Sequence, residues 1–345
     1  RLGVNAGNSI ASGGNFNVVV GDEAGTAINT GDNNSLFGFG SGESITTGLS
    51  NSAFGSDSLD ALTTGTRNTA FGSDTLSTDT LGSRAVAVGL GALQNQNFTT
   101  ATDNYNVAVG FQAGNDITTG LGNTIIGGLA GDALTDADSN VAVGKFALST
   151  DTLGSKSVAI GTSALLTQNF TTATETYNVA VGHNAGALIT TAIKNTLIGG
   201  LAGDGITSGD GLNVAVGFGA LGAASNTTQE NVAIGVDALS TEDGHGRNVA
   251  VGFEALKTLN AGALGLNTAV GQQAGKAMTT GIQNTFIGGL AGDGTDDGSD
   301  NVAVGYLALS ANCGDANVAV GKGASVSCTG ANNTSLGADA GSAQT

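Results

Sequence analysis

One five-residue motif recurs along the whole chain at nearly constant intervals, and a chain of this kind must fold as a stack of similar coils. The motif is Asn, then Val, Thr or Ser, then a small residue, a large apolar residue and Gly. It stands as Asn106-Val107-Ala108-Val109-Gly110 and again as Asn248-Val249-Ala250-Val251-Gly252. The closing Gly occurs 19 times between Gly21 and Gly337, with Leu2-Gly3 a twentieth at the edge. The commonest spacing is 17 residues and the range is 16 to 21. Asn opens 17 of the 19 copies, Ala85 and Ser157 being the exceptions. Three residues after the Gly, Ala stands in 16 copies, with Ser41, Ser58 and Thr75 in the rest. The stretch Leu76 to Asp132 repeats as Leu148 to Asp204 at a shift of 72, the mark of block duplication. Residues 1–345 therefore read as a single continuous repeat domain. The chain begins and ends in mid-pattern and is expected to be a fragment of a longer fibre protein.

Each motif has the residue types of a short strand. A second apolar site follows seven residues after the Gly, at Ile28, Ile45, Leu62, Ile117 and Ile189. It often leads into Thr-Thr-Gly, as at 46–48 and 118–120, and a second strand and a turn are expected there. Seventeen extended residues trace a perimeter of roughly 55 Å, enough for two short strands and two turns. The fold expected is all-β, a parallel β-roll or β-solenoid of about 19–20 coils stacked about 4.8 Å apart in a rod of roughly 90 Å. Gly supplies positive φ at the corner. Asn tolerates the left-handed region and can form a hydrogen-bonded ladder from coil to coil. The absence of Pro fits strands that need every N–H. Asn106, Gly110, Asn123, Gly127, Asn178, Gly182, Asn248 and Gly252 are accordingly read as structural repeat positions.

Alternate strand residues point to opposite faces, and here both faces are apolar. One can fill the roll, and the other requires a partner, most simply another copy of the chain on an axis along the rod. Three coils carry Ile125, Leu197 or Phe286 where Ala is usual, each with a second Gly after the motif, at Gly128, Gly200 and Gly289. Those glycines are expected to offset the added volume.

The unit Asn-x-Ala-Val/Ile-Gly-x-x-Ala resembles the head repeats of trimeric autotransporter adhesins and, more closely, the longer-period repeats of phage tail fibres. The resemblance covers nearly the whole chain. It implies a homotrimer of left-handed parallel β-rolls at an extracellular or virion surface, and it leaves viral and cellular origins both open. Autotransporter heads have shorter, more uniform coils than the 17- and 21-residue coils of this chain.

Composition narrows the function further. The chain has 59 Gly, no Trp, only 11% charged residues and a net charge of −18. Such an acidic surface disfavours nucleic acid and anionic membranes as partners. The only histidines, His183 and His245, lie in different coils and registers, and no catalytic triad or zinc set can be assembled. The segment is expected not to be an enzyme. Gly217-Phe218-Gly219-Ala220-Leu221-Gly222 fits a dinucleotide fingerprint but lies in repeat register with no βαβ unit around it. Asp293, Asp296, Asp297 and Asp300 crowd one Gly-containing turn and form a candidate Ca²⁺ site, with a solvated acidic turn as the alternative. A weaker version is Asp132, Asp136 and Asp138. Cys313 and Cys328 fall about one coil apart, within reach of a disulfide; two free thiols are the alternative.

Two coils carry the same four-residue extension. One reads Gln96 to Tyr105 and the other Gln168 to Tyr177. Extra residues in a solenoid are expected to form loops on one side. Phe98, Tyr105, Phe170 and Tyr177 are the candidate contacts to a surface glycan or host receptor; the alternative is that the phenylalanines cover the neighbouring chain. The leading expectation is a structural and adhesive fibre segment. The alternatives are an ice-binding solenoid, suggested by recurrent Thr-Thr pairs, and a purely structural spacer.

Overall fold

The structure, a computed structural model, describes residues 2–11, 13–209, 211–223, 230–242, 246–262 and 264–342. His245 lies outside them. The chain divides into two compact units, Arg1–Thr176 and Tyr177–Thr345. Both are parallel β-solenoids without helix among the described residues, and 19 three-residue strands mark the coils.

In the first unit the strands run from Val18–Val20 to Val158–Ile160, and in the second from Val179–Val181 to Thr334–Leu336. Successive strands pair in register, so Val107, Ala108 and Val109 lie opposite Thr124, Ile125 and Ile126. Like residues stack on like, because every coil presents the same position at the same height. At the edge, Leu2 bridges to Val20, which bears out the twentieth copy of the motif.

The closing glycines are required twice over. Each has φ near +119 to +145°, a region that side chains avoid. Most also stand directly against the next closing glycine: a Cβ on Gly110 would lie 2.5 Å from the carbonyl oxygen of Gly127. The opening asparagines form the expected ladder. Asn51 donates its backbone N–H to Oδ1 of Asn34 at 3.0 Å and its Nδ2 to the carbonyl of Gly65 at 2.9 Å. The backbone bond to the preceding asparagine recurs from Asn68 and Asn123 in the first unit and Asn195, Asn267 and Asn284 in the second. These amides are fully buried, where unmade hydrogen bonds are expensive, so the polar ladder fixes register as well as satisfying itself. The left-handed residue is not the Asn but the one before it: Ser50, Arg67 and Arg84 have φ of 58, 61 and 66°.

The expected second strand is absent from most coils. The far side of each coil is a run of turns, joined to the next coil by single bonds such as Gly25 N–H to Ser41 and Ala27 N–H to Glu43. In many coils the fourth residue after the Gly is a leucine with positive φ, such as Leu59, Leu76 and Leu93 at 51–55°. That conformation costs about 1–2 kcal/mol in an ordinary residue. Here it turns the side chain fully inward, and burial of a leucine offsets the strain.

The core is built from four stacked columns: the middle strand residue and those three, four and seven positions after the Gly. In the strand it is the small residue that faces inward. Ala108 is fully buried while Val107 and Val109 on either side stay partly exposed. The volume offset for Ile125, Leu197 and Phe286 lies elsewhere than at Gly128, Gly200 and Gly289. A Cβ on Gly128 would meet nothing within 4 Å, and those on Gly200 and Gly289 only ordinary contacts with the rings of Phe218 and Tyr306. The glycines that make room are Gly131, Gly203 and Gly292, in a column that holds leucine in about half of the coils, such as Leu59, Leu76 and Leu93, and glycine in most of the rest. A Cβ there would lie 3.0 Å from Ile125, 2.7 Å from Leu197 and 2.7 Å from the ring of Phe286. In coils such as Ala53–Leu59 a small strand residue goes with Leu, whereas Ile125, Leu197 and Phe286 each go with Gly in that column, which keeps the interior close-packed.

Candidate binding surfaces at the two extended coils

The two extensions follow directly on the two motifs that lack the opening Asn. Ala85 offers Asn106 no amide to bond, and the extension supplies the substitutes. Asn106 donates its N–H to Oδ1 of Asn104 at 3.0 Å and its Nδ2 to Oε1 of Gln96 at 2.9 Å. Gln96 in turn donates Nε2 to Oδ2 of the buried Asp79 at 2.6 Å. Asp79 also accepts from the backbone N–H groups of Gly82 and Phe98. Burial pushes its carboxyl above the ordinary range. In the duplicate, Gln168 bonds Asp151 and the hydroxyl of Ser157, which also meets Thr176. Asp79, Gln96, Asp151 and Gln168 occupy the column that holds Leu62, Ile117 and Leu134 in other coils. At the first extension the buried polar pair carries the ladder past the gap at Ala85.

The extensions do not simply leave the stack. Thr102–Asp103 pairs in parallel with Gly82–Ser83, and Thr174–Glu175 with Gly154–Ser155. The four candidate aromatic contacts separate into two kinds. Phe98 and Phe170 are buried, at 5% and 7% exposure, as interior cover of their own chain. Tyr105 and Tyr177 are 57% and 46% exposed, each the left-handed residue before an opening Asn.

Around Tyr105 lie a guanidinium, at 5.5 Å from the ring centroid, and the ion pair that this Arg84 makes with Asp103 at 2.9 Å. In the duplicate, Lys156 pairs with Glu175. There a depression of about 390 Å³ is lined by Asp136, Asp138, Ser155, Lys156, Thr174 and Glu175. Asp136 accepts from the hydroxyl of Thr119 at 2.6 Å and Asp138 from the N–H of Leu121 at 2.7 Å. Both surfaces are polar, open and rimmed by hydroxyls.

The four aspartates of the candidate Ca²⁺ turn are not drawn together. Asp297 and Asp300 point to solvent, Asp296 accepts from Thr279, and burial raises the carboxyl of Asp293. Among the described residues no group of three or more His, Cys, Asp or Glu is placed to hold a metal ion. Cys313 and Cys328 are both buried as free thiols at the interior column. Cys313 Sγ lies 3.2 Å from the hydroxyl of Thr295, and Cys328 Sγ accepts from Asn333 Nδ2 at 3.2 Å. His183 is exposed.

Sequence reasoning found both extensions and their tyrosines. It missed the basic partner Arg84, because this residue lies a coil earlier, and only the stacking of coils sets it beside Tyr105. The chain matches no protein-family profile, and no curated protein matches it.

Proposed function

We propose that the chain is a structural and adhesive fibre segment, assembled as a parallel homotrimer and exposed at an extracellular or virion surface. The observation that carries this reading is the outer face of the strands. In the first unit it presents Val88, Val109, Ile126, Val143 and Ile160 in one row, and in the second Val181, Ile198, Val216, Ile234 and Val251. Each of these is only half-buried or exposed in the single chain. Phe37, Phe54 and Phe71 extend the row as a face-to-face stack, with ring centroids 4.6 and 4.3 Å apart. A contiguous apolar row of this kind marks an association surface. Its repeat equals the coil spacing, and a second copy of the same solenoid matches that spacing at every step. The resemblance of the repeat to trimeric fibres supplies the number three.

Sedimentation equilibrium tests the assembly. The expected mass is about three times the 33.3 kDa of one chain. A folded species at the single-chain mass overturns it.

The adhesive part of the reading rests on the exposed tyrosines among Thr, Ser and Asp side chains, which suit a surface glycan. Weak sites repeated along and around a fibre act together. Replacing Tyr105 and Tyr177 with Ala tests it: loss of cell attachment with an unchanged melting temperature supports the reading. Retained attachment makes this segment a spacer whose receptor site lies elsewhere. Ice binding is less favoured, because the threonine hydroxyls of the second side donate inward along the stack. Thr46 bonds the carbonyl of Thr63, Thr63 that of Thr80 and Thr118 that of Thr135.

A further inference from the structure

The duplication supplies an internal comparison. A shift of 72 carries Arg84 onto Lys156, Asp103 onto Glu175 and Tyr105 onto Tyr177, so both copies of the sequence hold the ion pair and an exposed tyrosine. The same shift carries Thr64, Thr66 and Arg67 onto Asp136, Asp138 and Ser139. The flank is where the copies differ. The first surface holds two cations, Arg67 two rungs and Arg84 one rung from Tyr105, and one anion, Asp103. The duplicate positions hold one cation, Lys156, and three anions, Asp136, Asp138 and Glu175. The local balance thus changes from +1 to −2 while the backbone is retained.

Arg67 has no ion-pair partner among the described residues, although Arg84 one coil above it does. Its side chain is exposed, and it occupies the same left-handed corner position as Arg84 and Tyr105. Arg67, Arg84 and Tyr105 therefore form consecutive rungs of one column. Ser50 is the rung below Arg67 and carries no charge. In a chain of net charge −18 this is a local reversal of sign.

We infer that the first extended coil binds a carboxylate-bearing sugar, with Arg67 holding the carboxylate and Tyr105 the face of the ring. A guanidinium presents paired N–H donors that match a carboxylate, and a phenol ring offers an apolar face and a hydroxyl to a pyranose. Asp103 keeps Arg84 engaged, so Arg67 is the donor left for the ligand. The acidic duplicate disfavours the same ligand through like charge. This inference rests on reading the extensions as glycan contacts and adds the charge class of the sugar.

The test uses the full chain, with oligogalacturonate and its methyl ester as probes, which share a ring and differ in charge. Tighter binding of the acid by roughly tenfold or more is expected, weakening as salt is raised. R67S installs the residue of the duplicate, and Ser139 holds the same corner at φ 59°, so the variant keeps the backbone it needs. R67S should remove the preference for the acid and leave binding of the ester unchanged; Y105A should weaken both. Equal binding of the two probes, or an acid preference that survives R67S, overturns the charge assignment while the glycan reading stands. Loss of the acid from its site with millimolar inorganic phosphate overturns it also, as a simple anion site. Failure of both probes to bind removes the glycan reading and this inference together.

Discussion

Gln96 Oε1 accepts from Asn106 Nδ2 at 2.9 Å across ten residues of one coil, where other asparagines are bonded to the coil before. The contact exists because Ala85 cannot serve, and it makes Gln96 a hinge between the Asn ladder and the buried carboxylate of Asp79.

Gln96→Leu should therefore be destabilising although Leu is the commoner type of residue in that column. It strands one oxygen of Asp79 and removes one of the two acceptors of Asn106 Nδ2, which keeps the carbonyl of Gly120, at about 2–4 kcal/mol. The pH dependence separates this cause from misfit. Burial already holds the Asp79 carboxyl above its ordinary value, and loss of its donor raises it further. A raised folded pKa gives stability that is present at low pH and lost as pH rises. The deficit of the variant should thus shrink on acidification; chemical denaturation at several pH values measures it, and a pH-independent deficit contradicts the account.

The volume exchange between Phe286 and Gly292 predicts strong coupling. Phe286→Ala alone leaves a cavity costing about 3–5 kcal/mol. Gly292→Leu alone drives a side chain into the ring, since a Cβ there already lies 2.7 Å from it. Together they recreate the Ala53–Leu59 pair of another coil, where Leu59 takes φ 55°. The double variant should recover most of the loss, with an interaction energy above about 2 kcal/mol. Additive losses in a double-mutant cycle would refute the exchange.

Much of this architecture could be read directly from the residues, and the failures are instructive. The glycine and asparagine columns declared themselves because one steric and one hydrogen-bonding demand falls on every coil alike. The far side did not: Leu59 and Leu76 at positive φ defy local preference, and only burial in the stack explains them. Gly128 looked like the partner of Ile125 because it is adjacent in sequence, yet Gly131 is the one that faces inward. At the extensions, sequence grouped Phe98 with Tyr105, and the fold sends one inside and the other out.

Two neighbouring kinds of glycine should respond oppositely to alanine. Gly110→Ala meets the carbonyl oxygen of Gly127 at 2.5 Å with φ at +144°, and should cost about 3 kcal/mol or more. Gly128→Ala meets nothing within 4 Å and should stay within about 0.5 kcal/mol of the parent. Thermal melts of the pair, side by side, check both. A large loss at Gly128 would restore it as a packing position.

Asp60 is a carboxylate held against its ordinary charge state. Its carboxyl is pushed from 3.8 up to about 6, by burial first and then by the charges of Asp57 and Glu43, and its Oδ1 is buried without a hydrogen-bond partner. The folded chain thus binds this proton more tightly than the unfolded chain does. The resulting stability is fully present below about pH 4 and is lost as pH rises through about 6. Asp60→Asn keeps the shape and removes the charge. Its melting temperature should differ little from the parent below about pH 4, rise above it between about pH 4 and 6, and hold a constant lead beyond. A lead of the same size at every pH would mean that the gain comes from the amide's own hydrogen bonds. A lead that closes on acidification identifies the charged carboxylate as a strain that the stack carries at neutral pH.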